Sequence, residues 1–203
     1  FSLAGFGMGV PQVITDVVAV ADVEDDVNSS TFRHDVVLET PAGGFTVTLD
    51  GDEDDDLDLF LLYDANADGT FAYQGEVVAR STGQTADERL SVSGIAPAGH
   101  YQVWVHGFRV VGEGSTFDLT IHTVSGRSLL LSGTPAELPV GRTSRISVCA
   151  DVAALEDSDG PATGLIVGGP AGAPTLLRLP VTWVRAKPTV YLPSVGIRGP
   201  GEP

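Results

Sequence analysis

Residues 45–70, FTVTLDGDEDDDLDLFLLYDANADGT, contain two strand patterns that are separated by a dense acidic run. FTVTLD (45–50) places apolar side chains at alternate positions, and LDLFLLY (57–63) does the same. Alternation with a period of two residues is typical of a β-strand that buries one face. The run at 50–58 holds seven acidic residues, and no lysine or arginine lies between Arg33 and Arg80 to compensate them locally.

The same alternation recurs along the chain, and turn-forming segments such as PAGG, APAG, VGEG and GPAGAP separate the apolar stretches. Many short strands joined by short turns predict an all-β sandwich or barrel. TDVVAVADVEDD (15–26) fits either a strand or a short amphipathic helix, and its valines favour the strand. The further predicted strands are 89–95, 100–108, 115–124, 126–133, 144–152, 164–169, 175–185 and 189–195.

The pattern predicts two β-sandwich domains in tandem, of jelly-roll or immunoglobulin-like type. Residues up to about 125 are acidic and rich in aromatic side chains, whereas those from 126 onward are aliphatic and rich in proline. Hydrophobic residues make up 42% of the chain, which is enough to build a core. We therefore expect a sandwich with an N-terminal extension over 1–125, and a smaller immunoglobulin-like domain with an extended C-terminal tail over 126–203.

The charge of the chain limits its partners. A formal net charge of −16 argues against nucleic acid and anionic membranes, because both require basic patches on a protein. The apolar segment FSLAGFGMGV (1–10) is too short to span a bilayer, so no membrane span is expected. Cys149 is the single cysteine, which excludes a disulfide within the chain and leaves metal ions as another means of stabilisation. Its apolar neighbours predict a buried thiol.

The motif DANADG (64–69) predicts a calcium site. It places three side-chain oxygens at alternate positions before a glycine, which permits the sharp bend of a calcium-binding loop. The motif departs from an EF-hand, because the twelfth loop position is Gly75 and the next carboxylate, Glu76, comes one residue later. The predicted Ca²⁺ ligands are the side chains of Asp64, Asn66 and Asp68 and the carbonyl oxygen of Thr70.

The acidic run before the second strand admits two interpretations. Asp54, Asp56 and Asp58 alternate, so they share one face at the start of a strand and repel each other unless a cation lies among them. One interpretation is therefore a second metal ion held by these three carboxylates. The other is a solvated acidic loop that protects the edge of the 57–63 strand from aggregation.

The sequence predicts that the aromatic residues and the histidines serve mainly packing. Seven aromatic residues predict an aromatic core with one surface stripe, and the alternative is a platform that binds a ligand. They are Tyr63, Phe71, Tyr73, Tyr101, Trp104, Phe108 and Phe117. The four histidines lie in or beside predicted strands, where such residues commonly serve packing. We identify neither a nucleophilic site nor a cofactor motif.

Three segments, in this order, resemble the C-terminal accessory region of secreted bacterial subtilisin-like serine proteases. They are DLDLFL (56–61), DANADG (64–69) and PAGHYQVWV (97–105). That region contains a domain similar to the pre-peptidase C-terminal (PPC) domain, a small jelly-roll-like β-sandwich, and the resemblance covers about residues 30–125. It implies an extracellular or cell-surface location and a parent protease domain. The protease motifs themselves are missing, so no enzymatic activity is expected of this chain.

Two functional hypotheses follow. The first is a non-catalytic, calcium-stabilised module of a secreted subtilisin-like protease that serves folding, anchoring or substrate docking. The second is a structural subunit of an extracellular filament or surface layer, in which the apolar start and the extended end of the chain exchange strands with other copies.

Overall fold

The computed structural model describes residues 1–19, 23–134, 136–137, 143–151 and 160–184. The described residues form thirteen β-strands, a 3₁₀ turn at Val27–Ser29 and a single helical turn, α1, at Tyr73–Glu76. No helix among them is long and apolar enough to cross a membrane. The strands are β1 (Ser2–Gly9), β2 (Gln12–Ala19), β3 (Phe32–Leu38), β4 (Ala42–Gly51), β5 (Asp56–Tyr63), β6 (Val77–Ser81), β7 (Glu88–Ser91), β8 (Gly99–Arg109), β9 (Gly114–Ser125), β10 (Leu129–Ser132), β11 (Ser147–Ala150), β12 (Ala162–Gly169) and β13 (Leu177–Trp183).

The predicted all-β fold is confirmed. Two four-stranded sheets, β2–β9–β4–β7 and β3–β8–β5–β6, have antiparallel neighbours throughout and enclose the main core. Alternate residues of β4 and β5 enter this core, as their sequence pattern predicts. Inside it the rings of Phe45 and Tyr101 meet edge to face with centroids 5.2 Å apart.

β5 is buried on both faces, which explains its nearly continuous apolar sequence. Leu57, Leu59 and Leu61 point into the core between the two sheets. Phe60 and Leu62 point to the outer face, where they form a second apolar cluster with Trp104 of β8. Segments outside the two sheets cover that cluster, chiefly through Val27, Phe71 and Tyr73, together with Val77 of β6. The outer face of this sheet is therefore a covered surface on which polar groups can be enclosed.

The remaining strands form a three-stranded sheet, β1–β12–β13, and a two-stranded sheet, β10–β11. Met8, Leu129, Ala162 and Ile166 form a separate apolar cluster between them. β1 pairs with β12, so the first strand of the chain joins the later strands. The division into 1–125 and 126–203 stays a prediction, and hydrogen bonding places β1 with the second group.

The structure differs from the sequence-based predictions at Cys149 and in several strands. FSLAGFGMGV forms β1 and pairs with β12 of its own chain, with a shift of register between Phe6 and Gly9. Cys149 is exposed, so the prediction of a buried thiol was wrong: β11 pairs with β10, but all four of its residues are exposed. β1, β3 and β6 were not among the predicted strands. The predicted strand 189–195 and the C-terminal tail lie outside the described residues.

Candidate functional site

Two polar sites lie beside β5 and β8 near the outer face of their sheet. The first is the loop from Asp64 to Glu76, which directly follows β5 and carries the predicted calcium motif. The second is a cleft above the first half of β5, which we call the outer cleft. Tyr73 belongs to the loop and also lines the outer cleft, so the loop forms part of the wall of the outer cleft.

The DANADG motif forms a compact turn that its own side chains hold together. The two carboxylate oxygens of Asp64 accept the N–H groups of Asp68 (3.2 Å) and Gly69 (3.0 Å). The side-chain oxygen of Asn66 accepts the Asp68 N–H at 2.9 Å. Gly69 has a φ of +77°, a left-handed conformation that glycine adopts without steric cost. The glycine of the motif therefore serves the bend that the sequence predicts.

Asp68 is the most strongly hydrogen-bonded carboxylate of the turn. One of its oxygens accepts both the Thr70 hydroxyl, at 2.6 Å, and the Thr70 N–H, at 2.8 Å. These bonds, led by that of the hydroxyl, lower the pKa of Asp68 below its ordinary value. Asp68 is thus kept as an anion, the form that binds a cation.

Glu76 is the residue that the sequence reasoning set aside. Its side chain is 9% exposed, and one carboxylate oxygen accepts the Ala72 N–H at 2.7 Å. The other oxygen is buried and has no hydrogen-bond partner among the described residues. Gly75, with a φ of +102°, makes the turn that precedes it. In the sequence Glu76 stands one residue beyond the twelfth position of an EF-hand loop, and the folded loop brings it into one cleft with Asn66 and Asp68.

The loop residues surround a cleft of about 310 Å³. Its polar lining includes Asn66, Asp68, Thr70 and Glu76, whereas Asp64 does not line it. A buried carboxylate oxygen without a partner is costly, and a cation supplies what it lacks. Each oxygen that accepts one hydrogen bond keeps a second lone pair for a metal. The donor set is the oxygen-rich set that Ca²⁺ prefers, so these residues fit the predicted ion.

The donors do not form a closed metal site as they stand. Within the described ranges, no three His, Cys, Asp or Glu side chains are arranged to hold a metal ion. Binding at this loop would therefore require its oxygens to draw together around the ion.

The acidic run does not act as one cluster. Asp55 accepts the Val111 N–H at 2.6 Å, and Asp52 accepts the Thr116 N–H at 3.1 Å. Asp54 is exposed in the turn before β5, whereas Asp56 and Asp58 are buried within the strand. The structure thus brings two of the three residues of the predicted second ion site together and leaves Asp54 apart.

The outer cleft has a volume of about 430 Å³ and an acidic floor. Asp58 of β5 lies opposite His106 of β8 in the antiparallel ladder, and both side chains are buried. Asp56 is 5% exposed, and its Oδ1 atom has no hydrogen-bond partner among the described residues. The lining also includes Asp25, Val27, Phe60, Tyr73, Thr82, Gly83, Gln84 and Phe108.

Burial disfavours the charged forms of both carboxylates in this cleft. It raises the pKa of Asp58 to about 6, and the neighbouring carboxylates of Asp56 and Glu88 add to the shift while Arg80 opposes it. Burial also raises the pKa of Asp56, against the attraction of Arg109. Sequence reasoning had no signal for this effect, because it depends on the loops that cover the outer face.

The aromatic residues of β8 are largely enclosed. Trp104 is 1% exposed, its indole N–H donates to Gln102 at 2.6 Å, and the guanidinium of Arg33 lies 4.2 Å from the centre of its ring. Tyr101 is buried and donates its hydroxyl to the Pro97 carbonyl at 2.8 Å. These two rings therefore belong to packed clusters and do not form an exposed platform.

A scan against models of known protein families and a search of curated proteins find no match for this chain.

Proposed function

We propose that this chain is a non-catalytic, extracellular β-sandwich module that is stabilised by Ca²⁺ at the Asp64–Glu76 loop. The observation that carries the proposal is the buried, unpartnered oxygen of Glu76 in a cleft that it shares with Asn66 and Asp68. The resemblance of residues 30–125 to the accessory region of secreted subtilisin-like proteases supports a role beside a protease domain, in folding, anchoring or substrate docking.

The pairing of β1 favours the module over the filament. A filament built by strand exchange requires the first strand of one copy to complete a sheet of the next. In this chain β1 pairs with β12, and its Met8 packs with Leu129 and Ile166. The first strand thus has a partner within its own chain.

The bound ion would have a structural role. Ca²⁺ supplies positive charge that neutralises the loop carboxylates and links oxygens from different parts of the loop. Asn66, Asp68 and Glu76 would hold it with the Thr70 carbonyl, while Asp64 positions the turn by accepting two backbone N–H groups. Because α1 and Tyr73 belong to the same loop, the ion would also fix the cover of the Phe60–Trp104 cluster.

The test is the dependence of the melting temperature on Ca²⁺. A ligand that binds only the folded state stabilises it by about 2.7 kcal/mol at a hundredfold excess over its dissociation constant. We expect Ca²⁺ added to exhaustively chelated protein to raise the melting temperature, measured by scanning calorimetry. Glu76→Gln and Asp68→Asn should each remove most of that increase, because each neutralises one ligand without changing its shape.

Glu53→Gln is the matched control, because Glu53 is an exposed acidic residue in the turn before β5 and lies outside the loop. It should keep the full calcium response. A melting temperature that Ca²⁺ does not change would refute the calcium-stabilised module. A response that all three variants retain would place the ion elsewhere and refute this site.

A further inference from the structure

We propose that the outer cleft binds a positively charged organic group, a guanidinium or an alkylammonium, between the carboxylates of Asp56 and Asp58 and the surrounding aromatic rings. Tyr73 of the Asp64–Glu76 loop forms part of its wall, but the carboxylates that would hold the cation, Asp56 and Asp58, belong to β5 and lie outside that loop. Four observations carry the inference: the unpartnered oxygen of Asp56, the sign of the charge in the cleft, the position of the nearest arginines and the aromatic walls.

One carboxylate oxygen of Asp56 has no hydrogen-bond partner among the described residues, and a ligand in the cleft could supply one. The Asp56 side chain lines the cleft with an exposed fraction of only 5%. Its Oδ1 atom is buried and receives no hydrogen bond from any described residue. Buried carboxylate oxygens are ordinarily paired, because an unpaired one loses the hydrogen bonds it made to water. A ligand that enters the cleft with N–H groups would restore them.

The cleft is negatively charged. Asp25, Asp56 and Asp58 line it together with one histidine, His106, and no lysine or arginine does so among the described residues. Low-dielectric walls strengthen the attraction between such carboxylates and a cation that displaces water from them. A cationic ligand is therefore favoured over a neutral one.

The two arginines that attract these carboxylates, Arg109 and Arg80, do not occupy the cleft. Arg109 stands opposite Asp56 in the ladder, but its side chain is exposed. Arg80 donates to the hydroxyl of Tyr73 at 3.3 Å and is also exposed. Neither of them lines the cleft.

The register shifts between Asp56 and Leu57, so Phe108 has no partner in the ladder and instead lines the cleft.

The walls favour an organic cation over a metal ion. Phe60 and Tyr73 pack edge to face with centroids 5.4 Å apart, and both line the cleft with Phe108. Aromatic faces attract guanidinium and ammonium groups and bury the alkyl chains attached to them. A guanidinium also offers several N–H donors in a plane, which suits two neighbouring carboxylates.

The experiment titrates the ¹⁵N-labelled full chain at pH 7.5, with Ca²⁺ present, with butylguanidinium and butylammonium chloride. Butylurea is the neutral control, because it has nearly the shape of butylguanidinium and no charge. We expect at least one cation to shift the amide signals of 56–60 and 104–108 saturably, while butylurea leaves them unchanged. Absence of saturable shifts with both cations, or equal shifts with butylurea, would overturn the proposal.

Two variants locate the site. Asp56→Asn should weaken binding of the cation at least tenfold, because the amide keeps the shape of the side chain and removes its charge. Asp54→Asn makes the same change of charge two residues earlier, in an exposed turn, and should weaken binding less than twofold. Equal effects of the two variants would show that only the overall charge attracts the probe and would overturn the proposal.

A comparison with short peptides shows whether the cation belongs to a protein side chain or to a small molecule. The blocked peptide Gly-Arg-Gly is compared with butylguanidinium and with the same peptide carrying neutral citrulline. Tighter binding of the arginine peptide assigns the cleft to a protein side chain, and equal binding assigns it to a small molecule. Both outcomes support the site. Displacement of butylguanidinium from the same amides by Zn²⁺ or by excess Ca²⁺ would instead make it a metal site and overturn the proposal.

Discussion

At the scale of single residues, the acidic run between β4 and β5 contains carboxylates with unlike surroundings. Asp52 and Asp55 accept backbone N–H groups from the segment around β9, so they join the loop to the sandwich. Asp54 is exposed to solvent. Asp56 and Asp58 are enclosed in the outer cleft. The negative charge beside the buried strand is therefore divided among hydrogen bonding, hydration and an enclosed site.

Replacement of Asp58 by asparagine should stabilise the protein at neutral pH. Burial raises the pKa of Asp58 from 3.8 to about 6, so between these values the folded state holds a proton that the unfolded state has released. The contribution of Asp58 to the free energy of unfolding is therefore highest below about pH 4, falls as pH rises to about 6, and stays low above it.

Asp58→Asn lacks this titration. We expect it to be as stable as the parent chain near pH 4 and more stable by about 1–2 kcal/mol at pH 7, a value reduced from the full shift because solvent at the mouth of the cleft screens the charge. Urea denaturation at pH 4, 5, 6 and 7 measures the difference. A difference that does not change with pH would contradict the buried titration of Asp58.

At the scale of elements, β1 depends on three glycines that face neighbouring backbone. A Cβ atom at Gly5, Gly7 or Gly9 would come within 2.4, 2.6 and 2.0 Å of the carbonyl oxygens of Leu129, Ser125 and Thr123. Such distances are too short for a carbon atom. The alternate glycines of FSLAGFGMGV therefore let β1 lie against β9 and β10, where the Gly7 N–H donates to the Gly126 carbonyl at 3.1 Å.

Gly7→Ala should destabilise the chain by about 1–3 kcal/mol, because the added methyl group forces the backbone of β1 away from that of Ser125 and Ser128. Gly172→Ala is the matched control, since no atom lies within 4 Å of the position of its Cβ. Thermal and urea unfolding of the two variants provide the measurement. If Gly7→Ala is as stable as Gly172→Ala, the close packing of β1 is not present in solution.

At the scale of the whole molecule, the net charge of −16 opposes the compact state by self-repulsion. The repulsion acts over distances that salt screens, because the Debye length falls from about 30 Å at 0.01 M to about 8 Å at 0.15 M ionic strength. Stability should therefore depend on monovalent salt even when no specific ion binds.

We expect sodium chloride to raise the melting temperature of the chelated protein between 0.01 M and 0.15 M. An increase of about 1 kcal/mol in stability corresponds to about 2–4 °C for a chain of this size. Scanning calorimetry in the presence of chelator measures it without interference from Ca²⁺. A melting temperature that falls with salt would show that attractive charge pairs outweigh the repulsion.

The sequence by itself determined the local features of this protein. Period-two alternation predicted most of the described strands, because the side chains of a strand alternate between its faces whatever the strand packs against. The motif at Asp64–Gly69 predicted the tight turn, since a glycine at that position permits the left-handed bend that the structure shows. Each of these signals depends only on residues that are close together in the sequence.

Only the tertiary structure decided the features that join distant parts of the chain. The pairing of β1 with β12, the cover over the outer face of β5 and the orphaned oxygen of Asp56 all depend on contacts between segments far apart in sequence. Glu76 lines the cleft beside Asn66 and Asp68 because Gly75 turns the chain, a path that spacing alone did not reveal. Periodicity records which faces of a strand are apolar, but burial and charge at a site are set by whichever segments fold over it.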